Sequence, residues 1–194
     1  YSRDNLQWST RVWWMLYAIG LRNIAILNGG FETWLAEGRA VSSERVDYPP
    51  ASLTANPRSN VFVNKTEVNA AITNDTVCTM NALSARIYRG DDARYGRCGH
   101  ITGSVNVPAA SLQDSKTLKI SPLIDIARAF INAGADPKNP VIVYCGGGIA
   151  ATLNAFLLRQ LGYSDVAVYD NSISEWVQDP NMPMEVVSEA KYIS

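Results

Sequence analysis

A cysteine followed by three glycines is the segment of the sequence best suited to chemistry. Cys145 comes directly after an apolar run at residues 141–144 and precedes the glycines at 146–148. In open parallel sheets, ligands bind beyond the carboxyl ends of the strands. The glycines permit positive φ angles that turn N–H groups inward, and a helix beginning near Thr152 adds the positive end of its dipole. This pattern predicts a nucleophilic thiolate in an anion-binding loop.

The same loop has competing interpretations. Cys145 could be a small buried residue, with the glycines forming only a tight turn. Gly146-x-Gly148-x-x-Ala151 matches a dinucleotide-binding fingerprint with Asp170 as the ribose-binding acid, but too few residues follow Asp170 to complete that fold. A cysteine-dependent phosphatase needs an arginine where Ala151 stands. A phosphate-binding P-loop needs a Gly-Lys-Ser/Thr sequence that is absent here.

Composition excludes several classes of protein. The 194 residues are 47% hydrophobic and 18% charged, which argues against disorder. The net charge of -1 gives no positive field, so we expect neither nucleic acid nor a membrane as a partner. No apolar run approaches the ~18 residues of a membrane span.

Cysteine and histidine usage argues against a metal site. Cys78, Cys98 and Cys145 form no C-x-x-C pair, and His100 is the single histidine, so no zinc-ligand spacing is present. An odd number of cysteines leaves at least one thiol unpaired within the chain, which favours a cytoplasmic location. The chain begins at Tyr1 without a recognisable signal peptide, and we expect a fragment or processed product whose targeting signals would not be visible.

The hydrophobic pattern predicts an α/β protein. Short apolar runs typical of buried strands occur at residues 61–63, 77–82, within 99–108, at 141–144 and at 166–169. Because these strands alternate with helical segments, they predict a central parallel sheet flanked by helices on both faces. Asn64 and Glu67 form a capping-box pattern, and Ser121 is predicted to cap a later helix that ends before Gly134.

The sequence contains a partial internal repeat. Residues 9–35 align with residues 151–177, a shift of 142 positions. The identical pairs are Thr10/Thr152, Leu16/Leu158, Gly20/Gly162, Ala25/Ala167 and Trp34/Trp176. Each copy is predicted as a helix, a glycine stop, a short strand (residues 24–27 in the first copy) and a turn into a Trp-bearing helix.

Several motifs together resemble the rhodanese family of sulfurtransferases. They are Tyr88-x-Gly90, Gly99-His100-Ile101-x-Gly103-Ser104-Val105-Asn106-Val107-Pro108, the Cys145 loop, Val168-Tyr169-Asp170-x-Ser172-x-x-Glu175-Trp176 and, in the first copy, Leu27-x-Gly29-Gly30-Phe31-x-x-Trp34. Their ordered combination is specific where each motif alone is not. The resemblance implies a rhodanese-like fold preceded by a partial second copy. Residues 1–43 would be the C-terminal portion of a non-catalytic domain, 44–57 a linker and 58–194 a complete catalytic domain.

The resemblance also implies a reaction. Cys145 would take a sulfane sulfur from a small anionic donor of the thiosulfate or 3-mercaptopyruvate class and pass it, through a persulfide, to a thiol or cyanide acceptor. The active-site loop would comprise Gly146, Gly147, Gly148, Ile149 and Ala150. Covalent catalysis of this kind uses no metal and no organic cofactor. The Cys-Gly-x-Gly start is more similar to the mercaptopyruvate branch, although Gly147 replaces its usual hydroxyl residue.

Two positions depart from the family pattern. Leu83 and Ile87 stand where family members tend to have arginines, and an apolar side chain does not replace a guanidinium group. Arg86 and Arg89 are the neighbouring candidates for substrate binding, although a shift of one position usually changes the face. The alternative function is therefore a rhodanese-like binding or regulatory module with little turnover. The resemblance implies a structural role for His100.

The N-terminal segment is expected to have a partner. Trp13, Trp14 and Trp34 are interpreted as core residues of the first domain, and residues 1–43 lack the strands that would complete it. The segment alone would expose a large apolar surface. We therefore expect it to pack against the missing N-terminal polypeptide or another chain, and a stable monomer would contradict this expectation.

Overall fold

A parallel sheet organises the chain in the computed structural model, which describes residues 1–187. The helices are α1 (Leu6–Ala18), α2 (Gly30–Ala36), α3 (Lys65–Ala71), α4 (Ala85–Arg89), α5 (Leu123–Asn132), α6 (Ala150–Gln160) and α7 (Ser172–Trp176). The strands are β1 (Phe62–Val63), β2 (Cys78–Asn81), β3 (His100–Ile101), β4 (Val105–Asn106), β5 (Val141–Tyr144), β6 (Val166–Tyr169) and β7 (Met184–Glu185). The end of the predicted catalytic domain, residues 188–194, lies outside the described residues.

The main sheet contains five parallel strands in the order β1-β6-β5-β2-β4. β5 is central, since Val141 pairs with Cys78 of β2 on one side and with Val166 of β6 on the other. Val143 of this strand faces a hydrophobic cluster that includes α5 and α6, and Tyr144 faces a second cluster that includes α3 and α7. The prediction of an α/β fold with helices on both faces is confirmed. β3 and β7 form a separate antiparallel pair.

Two helix signals appear where the sequence predicts them. The side chain of Asn64 accepts the backbone N–H of Glu67 at 3.1 Å, and the Glu67 carboxylate accepts the N–H of Asn64 at 2.8 Å. This reciprocal capping box begins α3. Gly134 follows α5 with a φ of +94°, the left-handed conformation that commonly ends a helix.

Two local predictions were wrong. α5 begins at Leu123 with Pro122 as its N-cap, and no side chain caps it, so Ser121 lies one residue too early for the predicted role. Residues 24–27 form no strand. A strand needs a neighbour for its N–H and C=O groups, and within residues 1–187 none pairs with this segment.

The N-terminal helix α1 packs against α6 and joins the main core. Trp14 is fully buried, and its indole N–H donates to the carbonyl oxygen of Val61 at 3.2 Å. Trp13 contacts Phe156 of α6 edge to face, with ring centroids 4.9 Å apart. Residues 37–57, between α2 and β1, contain no helix or strand.

Candidate active site

Cys145 lies at the carboxyl end of the central strand β5. It continues the row formed by Val141 and Val143, in the hydrophobic cluster that includes α6. The residue is 2% exposed and forms no disulfide. Burial of this kind also suits an inert core cysteine, so the surrounding loop decides between the two interpretations.

The three glycines of the loop lie in different environments, and only two of them exclude a side chain. Gly148 has a φ of +76°, and a Cβ there would overlap the backbone oxygen of Asp170. Gly146 does not have a positive φ, but a Cβ added at this position would overlap the hydroxyl of Tyr95. Gly147 is exposed, and a Cβ there would meet nothing within 4 Å. The expectation that all three glycines serve to supply positive φ was therefore wrong, since close packing excludes a side chain at 146.

The loop presents backbone donors that the protein itself does not use. In the described part of the chain, the N–H groups of Gly146, Gly147 and Ile149 donate to no protein atom. α6 begins at Ala150, slightly earlier than the start expected near Thr152, so its positive dipole end adjoins the loop. Free N–H groups beside a helix start can bind an anion next to Cys145.

Ser172, the first residue of α7, fixes the shape of this loop. Its hydroxyl oxygen accepts the N–H groups of Cys145 at 3.0 Å and Gly148 at 3.1 Å. The fully buried hydroxyl donates to the carbonyl oxygen of Tyr169 at 2.8 Å and lies 4.0 Å from the Cys145 Sγ. Ser172 has a φ of +54°, which non-glycine residues rarely adopt. Such local strain is typical of functional sites.

Ser172 belongs to the motif at residues 168–176, but the sequence alone predicted no role for it. The repeat contained a signal that could have found it. Its counterpart in the first copy, 142 positions earlier, is Gly30, which has a φ of +66°. A serine where the equivalent residue is a left-handed glycine indicates that the side chain itself is needed.

Tyr95 forms another part of the site that the sequence did not reveal. Its hydroxyl packs against Gly146. Burial raises the pKa of Tyr95, the charge of Cys145 raises it further, and Arg94 opposes both effects. The phenol therefore stays protonated at neutral pH and can donate a hydrogen bond to a group bound at the loop.

The two predicted substrate-binding arginines lie on α4 and are exposed. Arg89 pairs with Asp91, with its Nε at 3.1 Å and an Nη at 3.0 Å from the same carboxylate oxygen. Arg86 forms no ion pair with any residue of the described range. Ile87 is 4% exposed, and Leu83 packs against both hydrophobic clusters. α4 thus turns its apolar side chains inward and its arginines outward.

Both ring nitrogens of His100 contact other residues of the protein. The ring stacks on Tyr88 with centroids 3.7 Å apart, and its Nδ1 donates to the Tyr88 carbonyl oxygen at 2.7 Å. Its Nε2 lies 3.2 Å from a carboxylate oxygen of Glu185 on β7. The Glu185 contact joins β3 to β7, the Tyr88 contacts join β3 to α4, and both ring nitrogens are thus engaged by the protein.

The other cysteines differ in environment. Burial raises the pKa of Cys78, in β2, to about 11, whereas Cys98 is exposed in the loop before β3. Within residues 1–187, no group of three His, Cys, Asp or Glu side chains could hold a metal ion. The same range contains no helix with the length and apolar character needed to cross a bilayer.

Known proteins resemble this chain at the level of family and of fold. A model of the Rhodanese-like domain matches residues 67–179. The 3-mercaptopyruvate sulfurtransferase of Escherichia coli (strain K12) is 31% identical over 190 residues, which cover 96% of this chain and 67% of that protein. The thiosulfate sulfurtransferase of Rattus norvegicus is 33% identical over 182 residues, or 91% of this chain and 61% of that protein.

Solved structures add a likeness of fold alone. Wild-type EanB superposes with a TM-score of 0.84 at 22% identity, over 94% of this chain and 45% of that chain. The chain therefore spans about two thirds of the length of its curated relatives and less than half of EanB. Those curated relatives are sulfurtransferases. Because the family model covers more than half of the residues and the relatives exceed 30% identity, the chain belongs to the rhodanese-like domain family.

Proposed function

We propose that the chain is a sulfurtransferase that carries sulfane sulfur on Cys145. The observation that supports this most directly is the pair of N–H groups, from Cys145 and Gly148, held on one Ser172 oxygen. This bracing leaves the remaining loop amides unpaired around the thiol. A buried cysteine with no chemical role would not need such a loop. The names of the curated relatives support the same class of reaction.

The proposed reaction has two displacement steps. The Cys145 thiolate attacks the outer sulfur of thiosulfate, an S–S bond forms, and sulfite leaves with the electron pair of the bond that breaks. With 3-mercaptopyruvate, the C–S bond breaks and the enolate of pyruvate leaves and takes up a proton. Cyanide or an acceptor thiolate then attacks the outer sulfur of the persulfide, and the Cys145 thiolate leaves. The loop amides stabilise the anionic sulfur in both steps.

The donor requires positive charge that the loop side chains do not provide. We propose Arg86 as the group that meets the anionic end of the donor, with Arg89 as a weaker second. Arg86 is exposed and has no carboxylate pair in the described range, whereas Arg89 is held by Asp91. If neither contributes, turnover is slow and the chain acts as a rhodanese-like binding module, because Leu83 and Ile87 are both apolar.

Intact-mass spectrometry after incubation with thiosulfate or 3-mercaptopyruvate tests the sulfur-carrier proposal. We expect the chain to gain the mass of one sulfur atom and to lose it again when cyanide is added. Cys145→Ser should show no gain. Cys98→Ser is the matched control and should behave like the parent chain, because Cys98 is an exposed loop thiol. A chain that gains no sulfur from any sulfane donor would support the binding-module alternative.

The free thiols bear on where this reaction runs. All three cysteines are unpaired in the structure. A persulfide carrier needs its thiol reduced, and reducing compartments preserve free thiols. We therefore propose a cytoplasmic setting.

The first repeat exposes a face that the second repeat buries, which supports a missing partner. Val12 and Met15 of α1 are 56% and 48% exposed. Their counterparts on α6, 142 positions later, are Asn154 and Leu157, which are both fully buried. Asn154 also donates to the carbonyl oxygen of Val107 at 2.8 Å, in the segment after β4. Within residues 1–187, no segment lies over α1 in the way that the segment after β4 lies over α6.

We propose that the strand-bearing half of the first module, supplied by the missing N-terminal polypeptide, covers this face. The greater length of the curated relatives supports the proposal. Light scattering should show that the chain alone self-associates, and that Val12→Glu reduces the association. A stable monomer would contradict the proposal. A dimer of fixed stoichiometry would identify the occupant as a second copy instead.

A further inference from the structure

The α1 helix sends one arginine into contact with the Cys145 loop. The guanidinium group of Arg11 pairs with both carboxylate oxygens of Asp170 and donates to the carbonyl oxygen of Gly148 at 3.3 Å. The Arg11 side chain is 22% exposed and stacks over the ring of Phe62, with its central carbon 5.4 Å from the ring centroid. It is thus held in place from several sides.

These contacts connect Arg11 to the nucleophile through the backbone. Gly148 accepts a hydrogen bond from Arg11 with its carbonyl oxygen and donates its N–H to Ser172. Ser172 also accepts the N–H of Cys145. Gly148 is already confined by its positive φ and by close packing against Asp170. A shift of Arg11 therefore changes the position of Gly148 and, through Ser172, the loop that surrounds Cys145.

Charge gives Arg11 a second effect on the same loop. Asp170 directly follows β6 and packs against Gly148, so its carboxylate lies beside a loop suited to binding anions. An unpaired carboxylate there would oppose both the thiolate and an anionic donor. Arg11 neutralises this negative charge by donating one N–H group to each carboxylate oxygen of Asp170. The planar guanidinium group is well suited to this bidentate geometry. The pair adds little to global stability, because the Asp170 side chain is 43% exposed.

We propose that Arg11 is a positioning residue for Cys145: it holds the Gly148 carbonyl and neutralises Asp170, so that α1 contributes to sulfur transfer without touching the donor. This inference rests on the proposed function. It assigns a role to the N-terminal segment beyond packing, since removal of α1 would leave the anion-binding loop both unanchored and next to a bare carboxylate.

Alkylation of Cys145 by iodoacetamide, followed by peptide mass spectrometry across a pH series, tests this role without requiring sulfur transfer. Arg11→Ala should slow alkylation at neutral pH about tenfold and move the half-maximal pH upward. Asp170→Asn leaves the Arg11 charge unopposed and should move the half-maximal pH of alkylation downward. The double variant should return close to the parent value, and Arg11→Lys should fall between parent and Arg11→Ala. Arg3→Ala, an exposed arginine of the same segment, is the control and should change nothing.

The outcomes separate the two proposals. Unchanged pH profiles in Arg11→Ala and Asp170→Asn would overturn the role of Arg11, as would shifts in the same direction, which indicate general loosening. If Arg11→Ala fails to fold, the direction of the Asp170→Asn shift decides alone. A parent chain that forms no persulfide refutes sulfur transfer, whereas the alkylation profiles still test Arg11. If the persulfide forms, its rate of formation should fall about tenfold in Arg11→Ala.

Discussion

The side-chain oxygens of Thr10 and Thr152 lie 2.9 Å apart in a buried hydrogen bond between α1 and α6. The two residues are 142 positions apart, which is the shift that aligns the two halves of the sequence repeat. Equivalent residues that meet one another are expected where two copies of a module pack about an approximate two-fold axis. The ends of the helices agree, since α1 and α6 finish at Ala18 and Gln160, again 142 apart. These relationships support the tandem-repeat interpretation.

The threonine pair should be measurable in the free energy of unfolding. Thr10→Val and Thr152→Val should each lower it by about 1 kcal/mol, because each removes the same buried hydrogen bond. The double variant should lose less than the sum. Urea denaturation measures all three, with Thr73→Val, an exposed hydroxyl, as the control. Strictly additive losses would show that the two hydroxyl groups do not interact.

Replacing Ser172 separates its hydroxyl from its backbone conformation. Ser172→Ala leaves the N–H groups of Cys145 and Gly148 buried without a partner, which should cost about 2 kcal/mol of stability and slow sulfur transfer at least tenfold. Ser172→Gly also lacks the hydroxyl but suits the φ of +54°, so it should be about 1 kcal/mol more stable than Ser172→Ala and equally slow. A parent-like rate in either variant would contradict the role given to the hydroxyl.

The loop glycines offer a matched pair of substitutions. Gly148→Ala combines a positive φ with an overlap on Asp170 and should reduce the rate of persulfide formation about 100-fold. Gly147→Ala meets no neighbouring atom and should leave the rate within about twofold of the parent chain. Stopped reactions analysed by mass spectrometry give both rates. Equal losses in the two variants would show that the loop is not held in the shape described.

The two α4 arginines should differ in their effect on donor binding. Arg86→Ala should raise the KM for thiosulfate about tenfold. The substitution removes a guanidinium group that has no ion pair in the described range and is therefore free to contact the anion. Arg89→Ala should change it little, because Asp91 already engages that guanidinium group. Added salt should reduce the difference between parent and Arg86→Ala by screening the charge. If neither variant changes KM, the loop amides bind the donor without these side chains.

Cys78 and Cys98 should respond differently to pH. With a pKa of about 11, only about one Cys78 thiol in a thousand is ionised at pH 8, and the fraction rises tenfold for each further pH unit below that pKa. Iodoacetamide at pH 8 should therefore label the exposed Cys98 and leave Cys78 unlabelled in the folded chain. Peptide mapping measures both sites, and labelling of Cys78 in urea is the control. Equal labelling of the folded chain would contradict this assignment.

Much of the fold follows from patterns within a few residues. The apolar run before Cys145 is the central strand, and the Asn64/Glu67 pattern is a capping box, because both depend on local chemistry. The predicted strand at residues 24–27 failed for the opposite reason. Its apolar side chains suit a strand, but a strand exists only where another lies beside it.

The parts of the candidate site that were missed depend on distant contacts. Ser172 meets Cys145 across 27 positions, and Arg11 meets Gly148 across 137. Tyr95 lies in an irregular loop, and its role depends on packing against Gly146. No periodicity or short motif encodes such pairs, so the sequence could propose Cys145 as the nucleophile but not the residues that contact its loop.

The burial of Ile87 limits which side chains the protein can accept at this position. The family resemblance led us to expect arginine at this position, yet here the Ile87 side chain is 4% exposed within the core. Arginine in place of Ile87 would bury an unpaired guanidinium group, at a cost of several kcal/mol. A single substitution therefore cannot place a charge at this position without a large loss of stability. Further changes in the side chains around α4 would be needed to accommodate it.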